Sequence, residues 1–60
     1  MREKALQAIK NEMENIDDRS GYSYVIGLIN MAFLTEIITI KEHMEFTKQA
    51  ILYLTIAERG

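Results

Sequence analysis

Glu36 and His43 are the residues in this chain whose types and placement come nearest to chemistry. A carboxylate beside an imidazole can share a proton, and together they can supply two ligands to a metal ion. Both lie on otherwise apolar helix faces and flank a short turn, so folding could bring them together. A metal site needs a third ligand and covalent catalysis needs a nucleophile, and no residue nearby offers either. The pair is therefore expected to form a hydrogen bond that locks a helical hairpin, with no catalytic residue, no metal and no cofactor.

Other side chains with functional potential have simpler expected roles. Tyr22, Tyr24 and Tyr53 could stack on bases or a ligand, but no basic groove accompanies them, so they are expected at the core edge with hydroxyls in water. Met13, Met31 and Met44 could form an adaptable binding face, although at helical spacing methionines are ordinary core residues. Asn30 either fixes a pairing register or sits in water beside Ser23. Gly27 either lets another helix approach or stands exposed, at a cost of about 1 kcal/mol relative to alanine.

The chain that must position these groups has 60 residues, enough for one domain over 1–60 and too few for a generous core. It contains no cysteine, which removes disulfides and thiolate metal sites as stabilisers and fits a reducing, cytoplasmic setting. Good helix packing and association are the means left. Nearly half the residues, 48%, are apolar, so the chain should fold rather than remain disordered. Seven basic residues are scattered among nine acidic ones, leaving no patch to collect phosphates, and nucleic acid is not expected as a partner. The opening MREKALQAIKNE is charged and amphipathic, unlike a signal peptide. The uncharged stretch Ser20–Thr35 is shorter than the roughly 20 residues that cross a bilayer, so a membrane span is not expected either.

The hydrophobic periodicity predicts an all-α fold, a small three-helix bundle. Leu6, Ile9, Met13 and Ile16 form a heptad-like seam, which predicts helix 1 over about 2–16. The turn-prone residues Asn15, Asp17, Asp18, Arg19, Ser20 and Gly21 end it; Asp18 or Ser20 can cap helix 2, about 21–37, and Ser20 is the expected cap. There Tyr24, Val25, Ile26, Leu28, Ile29, Met31, Ala32 and Phe33 occupy most of the circumference, as in a buried central helix. Thr39 followed by Glu42 is a capping box, in which each side chain meets a free amide of the other residue, and it predicts helix 3 over about 40–58. Helices 2 and 3 then form a hairpin, with helix 1 laid across them; a continuous helix through the Ile37–Ile40 segment is the structural alternative.

Helix 3 carries more apolar surface than such a bundle can bury. Ile40, Met44, Thr47, Ile51 and Leu54 share one face, with Phe46, Ala50, Tyr53 and Ala57 beside it. The polar stripe Lys41, Glu45 and Lys48 runs into Leu52 and Ile56. A wide exposed apolar patch on a protein surface is unfavourable unless another surface covers it. The expected function is thus a small non-enzymatic protein-interaction module of regulatory or adaptor type. It would associate with itself, most simply as a two-fold homodimer, through Phe46, Gln49, Leu52, Tyr53 and Ile56, and bind a further protein target. Competing readings are a membrane-associated protein using helix 2 and a helix-turn-helix DNA-binding regulator. The latter is disfavoured by the balanced charge of helix 3.

Overall fold

The computed structural model describes residues 2–59 and shows three helices, α1 (Arg2–Glu14), α2 (Arg19–Leu34) and α3 (Ile40–Arg59). The all-α expectation and the number of helices hold. The ends differ, and each difference has a local cause.

Helix α1 stops at Glu14 rather than Ile16. The amides of Asn15 and Ile16 bond back only three residues, to Glu12 and Met13, while the Asn15 side chain donates to the Asn11 carbonyl. The tightened last turn swings Ile16 inward, where it is buried despite lying outside the helix.

Asp18, not Ser20, caps α2. Its carboxylate accepts from the Gly21 amide at 2.8 Å, and its carbonyl accepts from Tyr22 at 3.1 Å. A carboxylate combines a good cap with a charge that suits the positive end of the helix dipole. Arg19 and Ser20 therefore fall inside the first turn.

The C-terminal end of α2 falls at Leu34 instead of about residue 37. Thr35 is the last capping residue, and Glu36 turns into the left-handed region with φ of 63°. The Glu36 amide then bonds to Phe33 and the Ile37 amide to Ala32, a Schellman closure that satisfies two orphan carbonyls. This bend lets Ile38 enter the core and Ile37 pack against its edge. Two β-branched residues gain more from burial than from continuing a helix.

The capping box forms as read from the sequence. Thr39 donates its amide to Glu42 Oε1 at 2.9 Å, and the Glu42 amide donates to Thr39 Oγ1 at 3.2 Å.

Two ion pairs mark the relative directions of the helices. Arg19 Nε lies 3.5 Å from Glu58 Oε2, joining the start of α2 to the end of α3, so these helices run antiparallel. Arg2 meets Glu42 and also donates to the Ile37 carbonyl at 2.9 Å, which sets the start of α1 against the α2–α3 turn. Between the helices, Ile9, Met13, Ile16, Val25, Ile29, Ala32, Ile38, Phe46 and Ala50 form one buried apolar cluster. Burying a side chain as fully as Ile29 is worth about 1.5–3 kcal/mol.

Helix α2 is not buried all round. Two neighbours cover only part of a helix, and Tyr24, Met31 and Leu34 remain on its open side.

Candidate protein-interaction surface

The structure does not assemble the expected Glu36–His43 lock. Glu36 lies on the exposed left-handed bend and, among the described residues, makes no ion pair with His43. His43 instead turns toward α2, where its Nε2 lies 2.7 Å from Asn30 Oδ1 and its ring stands 5.0 Å from that of Phe33, tilted by 47°. The hairpin is thus pinned by imidazole and amide, not by imidazole and carboxylate. The Thr47 hydroxyl donates to the His43 carbonyl at 2.8 Å, continuing this polar line along α3. Among the described residues no group of three or more His, Cys, Asp or Glu side chains could hold a metal ion.

The strongest electrostatic pair is elsewhere. Arg2 engages both oxygens of Glu42, with Nη1 at 2.9 Å from Oε1 and Nη2 on Oε2. This two-pronged bond from Arg2, assisted by the Thr39 amide, holds the Glu42 carboxyl at about 2 against an ordinary value of 4.5. The same bond raises the Arg2 pKa. The pair joins α1 to α3 in a structural role.

The apolar surface of α3 divides into two rows. Of the expected interface residues, Leu52 and Ile56 are 57% and 67% exposed, and Gln49 and Tyr53 are also exposed. Phe46 is not part of that surface. It is 8% exposed and packs in the core with Ala50, because the side of α3 that meets α1 and α2 centres on these two residues. That choice turns the neighbouring row outward. Ile40, Met44 and Ile51, which the periodicity grouped with Leu54 on one face, stand in solvent. The exposed charges Lys41, Glu45 and Lys48 flank this row, on the stripe that Leu52 and Ile56 continue toward the C-terminal end of α3.

The outward row continues onto α2. Asn30, already bonded to His43, leads one helical turn along to the exposed Leu34, and Gly27 faces open space on the same side. His43, Met44, Thr47 and Ile51 line a shallow hollow there, with Lys48 at its rim. Sequence reasoning missed this face. The signal was present in the spacing of Ile40, Met44, Thr47 and Ile51, but a helical wheel does not say which of two adjacent apolar faces a neighbour will cover.

A third apolar feature is a trench between α1 and α2, lined by Ala5 and Ala8 on one side and Leu28, Met31 and Ile37 on the other, with the buried Ile9 and Ala32 beneath. Met13 is core as expected, whereas Met31 and Met44 are exposed. No helix among the described residues is long and apolar enough to cross a membrane.

No family model matches this chain, and no curated protein and no solved structure does so either.

Proposed function

We propose that this chain is a small, non-enzymatic protein-interaction module of regulatory or adaptor type that associates with copies of itself through α3 and presents its remaining surface to a protein target. The observation that carries this reading is the exposure of Leu52 and Ile56, which interrupt the charged stripe in the last turns of α3. Apolar residues at such positions contribute little to the core and are favourable where a second surface removes them from water. A non-enzymatic role is supported by the separation of Glu36 from His43, which leaves the one candidate acid–base pair unassembled. A cytoplasmic setting is supported by the cysteine-free sequence.

Sedimentation equilibrium of the wild type and of Leu52→Asp with Ile56→Asp tests the reading. The wild type should sediment as an oligomer and the double variant at lower mass, with unchanged helix content by circular dichroism. A folded wild type that stays monomeric at high concentration would overturn it.

A further inference from the structure

We propose that Met44 is a site of reversible oxidation by hydroperoxides, and that its sulfoxide is received by Lys41 and Lys48. This is independent of the self-association proposed above.

The chain has no cysteine, so methionine thioethers are its only sulfurs and no thiol competes with them for an oxidant. A hydroperoxide transfers its terminal oxygen to the thioether and departs as the alcohol, or as water from hydrogen peroxide. Sulfur is oxidised and the O–O bond is reduced. Two thiols reverse the step, leaving as a disulfide together with water, as in enzymatic repair of methionine sulfoxide.

Three methionines among the described residues meet three environments. Met13 is 2% exposed and lies in the core. Met31 and Met44 are 61% and 65% exposed, so access does not separate them. Their neighbours do. The one polar side chain that lines the trench around Met31 is Thr35, whose hydroxyl already donates to the Met31 and Ala32 carbonyls. A sulfoxide oxygen there gains no donor and stands against apolar carbon, which is unfavourable.

Met44 stands between Lys41, three residues before it, and Lys48, four residues after it, the spacings that make neighbours on a helix surface. All three line one hollow. Glu45 lines it too, yet among the described residues neither lysine forms an ion pair with Glu45 or with any other carboxylate. Both ammonium groups therefore keep donors for a new acceptor. Thioether sulfur accepts weakly, whereas the sulfoxide is polar, so a charge-assisted hydrogen bond to lysine forms only after oxidation. Oxidation then sets a held polar group in the middle of the exposed row Ile40, Met44 and Ile51, and reduction restores the apolar row.

Hydrogen peroxide is the probe, applied at low protein concentration to the wild type, to Met31→Leu, to Met44→Leu, and to Met31→Leu carrying Lys41→Ala and Lys48→Ala. Leucine conserves the volume of methionine and alanine suits an exposed helix, so each variant should keep its helix content by circular dichroism. Peptide mapping by mass spectrometry should find Met31 and Met44 oxidised in the wild type, and Met13 at least roughly tenfold slower because the fold must open to expose it. Met1 lies outside the described residues and is common to every variant. On oxidation Met31→Leu should lose less Tm than Met44→Leu, and removing the two lysines should enlarge the loss at Met44. Oxidation of Met44 as slow as that of Met13, or a Tm loss at Met44 that the lysines leave unchanged, overturns the proposal.

Discussion

Arg2 and Glu42 bind through two parallel hydrogen bonds that tie the first turn of α1 to the first turn of α3. The Glu42 carboxyl is held at about 2, chiefly by Arg2. A carboxyl with a lower pKa in the folded chain than in the unfolded chain stabilises the fold when ionised, above its unfolded value. That contribution is lost as pH falls from about 4.5 toward 2. In Glu42→Gln the capping bonds can persist, since glutamine also serves in a capping box, but the charge is gone. Thermal melts of this variant should show a smaller loss of stability than the wild type as pH falls from about 4.5 toward 2, the window in which the folded and unfolded chains differ in the charge of this carboxyl. In Arg2→Ala, a nuclear magnetic resonance titration should find the Glu42 carboxyl closer to its ordinary value. An unchanged titration would show that Arg2 does not set it.

Glu36 occupies a left-handed conformation that disfavours residues with a Cβ, by about 1–2 kcal/mol. Glycine removes that penalty but adds freedom to the unfolded chain, which offsets part of the gain. Glu36→Gly should stabilise the fold by about 0.5–1 kcal/mol, raising Tm by a few degrees. Glu36→Val should lower it. Urea melts of the three proteins check the order, and a glycine variant no more stable than wild type would count against the left-handed turn.

Phe46 and Leu52 sit fewer than two turns apart on α3 yet should respond oppositely to change. Phe46→Ala opens the core and should cost about 3–5 kcal/mol, a large share of the stability of so small a chain. Leu52→Ala removes exposed surface and should change monomer stability by no more than about 0.5 kcal/mol. Denaturant melts at low protein concentration, where association does not contribute, separate the two.

These contrasts show what the residues disclose in order. The Thr39–Glu42 capping box was legible because both partners lie within one turn and the geometry is wholly local. The inward seam of Ile9, Met13 and Ile16 was legible because α1 has only one apolar face. The end of α2 was not, since a left-handed bend is ordinarily marked by glycine and here the position holds glutamate. The inward side of α3 was not legible either. Its two apolar faces are adjacent, and only the placement of α1 and α2 decides that Phe46 is covered while Met44 is left in solvent. Asn30 and His43 each stood out singly, but their contact depends on how α2 crosses α3, which no spacing within one helix contains.

The double duty of Glu42 couples the start of one helix to the docking of another. Its carboxylate accepts from the Thr39 amide within the first turn of α3, and in that position it also meets Arg2 of α1. Docking of α1 in turn fixes the carboxylate and so reinforces the turn that offered it. Short-range and long-range order strengthen each other at one side chain, which is the agreement between levels that makes a small chain fold cooperatively.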